Sequence, residues 1–296
     1  MKYQLINKLK HKIMRHFLPI ERNYNLFILK KQIIDYLQAK QLNSEEKEVL
    51  AWLKNNIFNV FPYDFIYKYN HNNIEILVDD ELKRKYVMFN NKKMYFKENM
   101  DDNFIKGYVS GILLEQDNLS PHKYIIDESH IKGKIVADLG VAEGNFALSI
   151  IDSVEKIYLF ECDDEWVEAL KLTFEPWKDK VVIVNKFISD INSDTHITLD
   201  EFFKDKQIDY IKADIEGSEV AMLKAGSETL RQKVSDVLLC AYHKASDEQD
   251  IMAILDDYGY EYHTSNGYMI FIYDSALAAP YLRRGLIYGK RSKQYT

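Results

Sequence analysis

The sequence has few of the features that mark particular protein classes. Its only cysteines, Cys162 and Cys240, each lie inside an apolar run, which favours buried thiols in a reducing compartment over a disulfide framework or a zinc-thiolate site. No stretch approaches the roughly eighteen consecutive apolar residues of a membrane-spanning helix, and the N-terminus lacks the apolar middle of a signal peptide. We therefore expect a cytoplasmic protein.

Positive charge is scarce as well. The 39 lysines and arginines are outnumbered by 46 aspartates and glutamates, and the net charge of −7 argues against nucleic acid as the main partner. With 296 residues, 47% hydrophobic and 29% charged, the chain has the balance of a globular protein longer than one average domain. We predict a helical and β-meander region for substrate or partner contacts at residues 1–110, and a cofactor-binding domain at residues 111–296.

Residues 1–18 have the pattern of an amphipathic helix, with lysines around one apolar face. That face carries Leu5, Ile6, Leu9, Ile13 and Phe17. We expect it to pack on the protein itself or on a partner, and peripheral contact with an anionic membrane is the alternative. The oligomeric state has no signal in the sequence.

From Lys134 onward, short buried strands alternate with helical stretches. The strands are predicted at residues 135–137, 156–160, 181–187, 208–213 and 234–241. Such alternation predicts a parallel sheet with helices on its faces. At the end, residues 261–264, an Asn266-Gly267 turn and residues 268–273 predict an antiparallel hairpin. The predicted fold class is α/β: a Rossmann-like, class I methyltransferase sheet, mostly parallel and ending in an antiparallel hairpin, with a smaller N-terminal helical and β-hairpin region.

A glycine turn follows the first of these strands. The segment KIVADLGVAEGN, residues 134–145, runs from a buried strand through Gly140 and Gly144 into a helix that begins at Asn145. The next strand ends at Glu161, whose carboxylate can accept hydrogen bonds from both hydroxyls of a ribose, as in dinucleotide-binding folds. The pattern predicts a ribose-bearing cofactor.

The charges of this turn discriminate between such cofactors. Asp138 and Glu143 place carboxylates where a pyrophosphate would need bare backbone N–H groups, and the spacing D-x-G-x-x-x-G differs from the dinucleotide fingerprint. S-adenosylmethionine carries a sulfonium, an ammonium group and a ribose but no phosphate. It is therefore the predicted cofactor, bound by Asp138, Gly140, Glu143, Gly144, Asn145 and Glu161.

A second polar group follows a later strand. The segment IDYIKADIEGSE, residues 208–219, delivers Asp214 and Glu216 to the ligand-binding edge of the sheet. His243 follows the next strand and is the predicted general base, with Asp214 and Glu216 as the other catalytic candidates and Asp214 also facing the cofactor. For Glu219, a helix-capping role and a functional role stay open.

These motifs resemble one family. The segments TLDEFF (198–203), IKADIEGSE (211–219) and CAYHK (240–244) are similar to FkbM-type S-adenosylmethionine-dependent methyltransferases, and K-x-D-x-E-G-x-E is the most specific string. The segment EQDNLSPHKY, residues 115–124, resembles one that precedes the first core strand in a bacterial branch of the family. It contains Ser120 and His122, which we assign to the cofactor site, with loop anchoring as the alternative for His122. The likeness covers residues 114–273, and it implies an O-methyltransferase fold with Asp138, Gly140, Glu143 and Glu161 around the donor.

The resemblance implies methylation of a hydroxyl on a sugar, a glycan precursor or a secondary metabolite, which would suit polysaccharide biosynthesis. A non-catalytic S-adenosylmethionine-binding module and an NAD-dependent sugar oxidoreductase are the alternatives. Asp214 and His243 could instead bind Mg²⁺ or Mn²⁺ and acidify the hydroxyl. Because no second aspartate follows the Cys240 strand, we favour catalysis without a metal. No motif identifies the acceptor.

Overall fold

The computed structural model describes residues 20–124 and 128–291. The amphipathic segment predicted at residues 1–18, with its membrane alternative, lies outside them. In the described part, no helix is both long and apolar enough to cross a membrane. The first elements are helix α1, Ile20–Gln38, and helix α2, Ser44–Asn55. Asn43 caps α2, because its Oδ1 accepts from the Glu46 backbone at 2.8 Å while Glu46 Oε2 accepts from the Asn43 backbone at 3.0 Å.

A small antiparallel meander follows two short 3₁₀ turns. Its strands are β1 (Leu77–Val78), β2 (Lys85–Phe89) and β3 (Lys92–Tyr95), in that spatial order. Asn90 and Asn91 join β2 to β3 with φ values of +48° and +61°, which asparagine tolerates in two-residue hairpin turns. Helix α3, Asp102–Glu115, then leads to the main sheet. The predicted helical and β-meander elements are therefore present ahead of the sheet.

The main sheet has seven strands, and all but one run parallel. The strands are β4 (Ile135–Leu139), β5 (Lys156–Phe160), β6 (Val181–Val184), β9 (Tyr210–Ala213), β10 (Asp236–Cys240), β11 (Glu261–Thr264) and β12 (Leu286–Lys290). In spatial order the sheet is β11-β12-β10-β9-β4-β5-β6, and only β12 is antiparallel to its neighbours. The order reverses at β4, which lies between β9 and β5. A separate parallel pair is formed by β7 (Phe187–Ile188) and β8 (His196–Ile197).

Helices cover both faces of this sheet. The helices are α4 (Asn145–Ile150), α5 (Asp164–Phe174), α6 (Leu199–Phe203), α7 (Glu219–Ala225), α8 (Ser227–Gln232) and α9 (Asp247–Asp257). One apolar cluster contains side chains of α4 and α5 together with the N-terminal elements, and a second contains side chains of α6 to α9. The predicted α/β class with a mostly parallel sheet is confirmed. The division at residue 110 stays a prediction, and residues from both sides of it share the first cluster.

The sheet ends in two antiparallel strands that are consecutive along the chain, as predicted, but the predicted turn and second strand of this hairpin are wrong. The partner of β11 is β12, and residues 268–273 form no strand. Instead, the backbone of Gly267 donates to Glu45 at 2.7 Å, that of Tyr268 to the Tyr63 hydroxyl at 2.6 Å, and that of Ile270 to the Val60 carbonyl at 2.9 Å. The N-terminal region therefore takes the hydrogen-bonding groups that a hairpin would have used.

Candidate active site

Neighbouring parallel strands end at the same level and leave a crevice beyond the sheet. Leu139 of β4 lies opposite Phe160 of β5 and Ala213 of β9, so the three residues that follow them emerge side by side. This is the point at which the strand order reverses, where open α/β sheets bind ligands. Two cavities lie here, a larger one of about 360 Å³ and a smaller one of about 70 Å³. Both are lined by Phe104, Tyr108, Gly140, Ala142, Asp214 and Glu216.

Gly140 lets the loop after β4 touch the end of β9. Its φ is +78°, and a Cβ atom there would lie 2.0 Å from the carbonyl oxygen of Asp214. Gly144, with a φ of +88°, is the N-cap of α4, and a Cβ on it would lie 2.9 Å from Leu170 Cδ2. Asn145 follows and lines the smaller cavity. Both glycines are thus required by conformation and by space, as their place in the predicted turn suggested.

Glu161 connects the loops that border the larger cavity. Its Oε2 accepts from the Ala142 backbone at 2.7 Å, and its Oε1 accepts from the Cys162 and Asp163 backbones at 2.8 and 2.9 Å. A carboxylate has about four acceptor positions, and backbone N–H groups occupy three of them. The sequence predicted room for two hydroxyls, and it missed that this side chain also organises the backbone around it.

Three residues that the sequence analysis did not single out also line the larger cavity. Trp166 of α5 presents its ring, and Lys97 Nζ lies 4.9 Å from the ring centroid. Lys97 is buried and forms an ion pair with Asp163, whose Oδ1 accepts from the Glu165 backbone. An aspartate directly ahead of a helix is a recognisable N-cap signal. Lys97 has no such signal, because it comes from the segment after the meander.

Asp138 does not line either cavity of the crevice. It is fully buried in β4, and its Oδ1 lies 2.9 Å from Lys212 Nζ of β9. Burial alone would lower the pKa of Lys212, but the carboxylates of Asp138 and Asp214 raise it above its ordinary value. The cation therefore balances the negative charge of Asp138. Cofactor binding by Asp138 stays a prediction, and the overlooked signal was a lysine inside the apolar run IDYIKA.

Glu143 lies at the border of the smaller cavity. It is buried and accepts a hydrogen bond from the Tyr108 hydroxyl of α3. The Tyr108 ring is 6.1 Å from the ring of Phe104 and 5.8 Å from that of Trp166. Helix α3 therefore covers the crevice with an aromatic surface, which the sequence analysis did not anticipate.

Asp214 occupies the centre of the crevice. Its Oδ2 accepts from the Tyr124 hydroxyl at 2.8 Å, and its Oδ1 accepts from the Tyr242 hydroxyl at 3.2 Å. Burial raises the pKa of Tyr124 and of Tyr242 well above the usual range, so both phenols keep their protons. Asp214 is consequently held as an acceptor from two sides. Both tyrosines were missed, although they adjoin the predicted residues His122 and His243.

His243 lies among three carboxylates. Its Nε2 is 3.4 Å from Asp214 Oδ1 and 3.8 Å from Glu216 Oε2, while its Nδ1 is 3.3 Å from Glu219 Oε1. Burial would lower the pKa of His243, but Glu219, Asp214 and Glu216 together raise it to about 9. The structure thus brings together all three predicted catalytic residues. It adds Glu219, and a pKa of about 9 favours the protonated imidazole at neutral pH.

Glu216 reaches the crevice through an unusual backbone conformation. Its φ is +56°, in the left-handed region that non-glycine residues rarely adopt. The side chain lines both cavities and is 40% exposed, whereas the side chain of His243 is only 5% exposed. Of the carboxylates around His243, Glu216 is therefore the most accessible to a ligand.

Ser120 and His122 lie behind the crevice. The His122 ring packs against the rings of Tyr124 and Tyr242, with centroids 4.9 and 5.1 Å apart, and its Nε2 is 3.8 Å from Cys240 Sγ. Ser120 Oγ accepts from the His122 backbone at 3.1 Å. Neither residue lines either cavity. Their cofactor contacts stay predictions, and the geometry supports the alternative of a loop anchor behind the two tyrosines.

The metal alternative finds its ligand atoms near one another but already engaged. Atoms of Asp214, Glu219 and His243 lie within 4.8 Å of each other. Asp214 accepts from two tyrosines, and Glu219 Oε1 accepts from the Ile215 backbone at 2.9 Å. A divalent ion would have to displace these donors.

Comparison with solved structures finds several methyltransferases at low similarity. Methyltransferase FkbM from Methylobacillus flagellatus KT is 18% identical with a TM-score of 0.41, over 64% of this chain and 55% of that protein, so the chain spans about half of its length. Magnesium protoporphyrin IX methyltransferase from Synechocystis PCC 6803, with bound SAM, is 15% identical with a TM-score of 0.41. The match covers 66% of this chain and 86% of that protein. Precorrin-6y C5,15-methyltransferase from Geobacter metallireducens GS-15 is 13% identical with a TM-score of 0.40. The match covers 60% of this chain and 92% of that protein. These values carry no information about the acceptor.

The sequence itself matches one family model. No curated protein matches the chain. Residues 163–262 match the methyltransferase FkbM domain, and this range contains Lys212, Asp214, Glu216, Glu219 and His243. The match confirms the resemblance that the K-x-D-x-E-G-x-E string suggested. The matched region is about a third of the chain, and over this region the sequence is similar to the methyltransferase FkbM domain.

Proposed function

We propose that the protein is an S-adenosylmethionine-dependent methyltransferase that methylates a hydroxyl group of a sugar, a glycan precursor or a secondary metabolite. One observation carries the proposal: Asp214 and Glu216, which line the same larger cavity as Glu161, lie 3.4 and 3.8 Å from Nε2 of His243, which itself lines neither cavity. The arrangement offers a proton acceptor on one side and a site for a ribose hydroxyl on the other.

The groups around the crevice suit a cationic cofactor with a ribose. Carboxylates of Glu143, Glu161 and Glu216 line its cavities, and they would repel a pyrophosphate. Of the two lysines at the larger cavity, Lys97 is paired with Asp163, and Lys186 Nζ donates to a backbone carbonyl at 3.1 Å. The volume of about 360 Å³ is within the range of small-molecule sites, about 300–1,000 Å³. These features support S-adenosylmethionine over NAD.

The reaction requires alignment and removal of one proton. S-adenosylmethionine, when bound, supplies an electrophilic methyl carbon. Asp214, held by two tyrosine hydroxyls, can orient the acceptor, and such alignment contributes up to about 7–11 kcal/mol. The neutral form of His243 takes the hydroxyl proton at Nε2, and Glu216 beside it stabilises the imidazolium that results. No metal takes part in this scheme, so activity should survive exhaustive chelation with EDTA.

Titration calorimetry with S-adenosylhomocysteine and with NAD tests the proposal. We expect micromolar affinity for S-adenosylhomocysteine and no binding of NAD. The opposite result would support the sugar oxidoreductase. Transfer of a labelled methyl group from S-adenosylmethionine to a panel of sugars and glycan precursors then separates an enzyme from a binding module. NMR of the product shows whether the methyl group is bound to oxygen.

A further inference from the structure

Carboxylates and aromatic rings meet where the two cavities of the crevice adjoin. Asp214 and Glu216 supply carboxylates from the loop after β9, and Phe104 and Tyr108 supply rings from α3. The two rings are nearly parallel, with centroids 6.1 Å apart and an angle of 19° between their planes. We call these four residues the junction, because each of them lines both the larger and the smaller cavity.

The surroundings of the junction carry an excess of negative charge. His243 lies among three carboxylates, so the negative charges outnumber the positive charge of its imidazole even when the ring is protonated. Lys212, which lines the smaller cavity, is already paired with a buried aspartate of β4. A positively charged group of a ligand would therefore be stabilised at the junction, and a negatively charged group would be repelled.

Phe104 adds a second kind of group that favours a positive charge. Its ring is half-buried and lines the same two cavities as the carboxylates. The face of an aromatic ring attracts a cation through its quadrupole, and this attraction is stronger where water is excluded. Helix α3 therefore contributes to the recognition of charge in the crevice as well as to its cover.

We propose that the junction recognises the sulfonium group of S-adenosylmethionine and thereby distinguishes the donor from its demethylated product. The inference rests on the proposed function. With the nucleoside in the larger cavity beside Glu161 and the amino-acid chain directed toward the smaller one, the sulfur that joins them lies at the junction. A neutral sulfide gains no comparable attraction from the carboxylates or from the ring of Phe104.

Methyl transfer removes the charge on which this recognition depends. The S–CH₃ bond breaks with its electron pair left on sulfur, the O–CH₃ bond forms, and the hydroxyl proton goes to Nε2 of His243. The sulfur of S-adenosylhomocysteine is therefore neutral, and fresh donor binds more tightly than the product. The consequence is that the enzyme resists inhibition by S-adenosylhomocysteine.

Titration calorimetry with S-adenosylmethionine and with S-adenosylhomocysteine measures this selectivity as the ratio of the two dissociation constants. The measurement needs no acceptor, and a general loosening of the site weakens both ligands alike, so it leaves the ratio unchanged. For the wild type we expect S-adenosylmethionine to bind about tenfold more tightly, the effect of a desolvated contact between a cation and a ring with carboxylates close by.

Two pairs of variants isolate the ring and the charge. Phe104→Leu keeps an apolar side chain but removes the aromatic face, whereas Phe104→Tyr keeps that face. Glu216→Gln removes a charge at the junction, whereas Glu165→Gln removes one from a side chain that is 56% exposed and lines the larger cavity but not the smaller one. We expect the ratio to fall to about three in Phe104→Leu and Glu216→Gln and to stay near about ten in both controls, with affinity for S-adenosylhomocysteine within about twofold of the wild type throughout.

The outcomes separate this inference from the proposed function. Equal affinity of the wild type for the two ligands would overturn the inference, and so would a ratio that is unchanged in either Phe104→Leu or Glu216→Gln. An equal fall in Phe104→Tyr or Glu165→Gln would also overturn it, because the selectivity would then not come from the ring and the charge at the junction. If neither ligand binds, the proposed function itself is refuted.

Discussion

The two ends of the crevice are built in different ways. The donor end, comprising Gly140, Ala142, Glu161 and Asp163, is held by backbone N–H groups that donate to carboxylates of the same loop or of the loop after the neighbouring strand. At the catalytic end, comprising Asp214, Glu216 and His243, side chains hold one another. Tyr124, 90 residues from Asp214 in sequence, is one of these partners. The donor end therefore depends on local backbone geometry, and the catalytic end depends on charge balance among distant residues.

Two contacts join these ends. The carbonyl of Asp214 lies where a side chain on Gly140 would have to be, and Lys212 of β9 pairs with Asp138 of β4. Adjacent strands therefore share a buried ion pair directly beneath the crevice. Substitutions in this ion pair should affect the donor end and the catalytic end together. Substitutions within one end should leave the function of the other end intact.

Lys212→Met should have the largest effect, because it leaves Asp138 buried without a cation. Removing one partner of a buried ion pair costs about 3–5 kcal/mol of unfolding free energy. Chemical denaturation measures this loss, and the double variant Asp138→Leu/Lys212→Met should recover most of it. A single variant as stable as the wild type would mean that the pair does not join the two ends.

His243→Ala should separate the ends most clearly. Loss of a general base lowers kcat by about 10²–10⁴-fold. The donor end does not contact this side chain, so affinity for S-adenosylhomocysteine should stay within about twofold of the wild type. Radiometric assay and calorimetry measure the two quantities. An equal loss in both would show that the ends are not independent.

The pH dependence should also differ between the ends. With a pKa of about 9, His243 is protonated in all but about 1% of molecules at pH 7, so kcat/KM should rise about fiftyfold between pH 7 and pH 9 and then level off. The raised pKa stabilises the folded protein below about pH 6.5, and this contribution is lost as the pH rises through about 9. Affinity for S-adenosylhomocysteine should change little over this range. A flat rate profile would exclude His243 as the base.

Glu161→Gln should have the smallest effect. The amide can keep some of the backbone hydrogen bonds, but it loses the charge and one acceptor position. We expect about tenfold weaker binding of S-adenosylhomocysteine, equivalent to about 1.4 kcal/mol, with kcat at saturating donor within about threefold. Binding unchanged by this substitution would leave Glu161 with only its role in loop structure.

The sequence predicted most of the sheet and the three catalytic candidates, because buried strands, glycine turns and the acidic residues after them are contiguous. It did not predict Tyr124 and Tyr242 at the crevice, although they lie beside the predicted His122 and His243, because aromatic residues in such positions are usually core residues. It did not predict Lys97, since nothing beside this residue in sequence distinguishes it from a surface lysine. The Asn266-Gly267 pattern favoured a hairpin, yet contacts with the N-terminal region took the backbone groups that would have closed it.

The sequence by itself determined the strand, glycine loop and helix at residues 135–150, because each step depends on the conformational preferences of neighbouring residues. It also placed Glu161, Asp214 and Glu216 directly after strands of the sheet, but it did not indicate that Asp138 lies buried within β4. Only the tertiary structure decided that Lys212 neutralises Asp138, that two tyrosines hold Asp214 and that Glu219 faces His243. These pairings depend on strand register and on the paths of loops far apart in sequence, which no local pattern specifies.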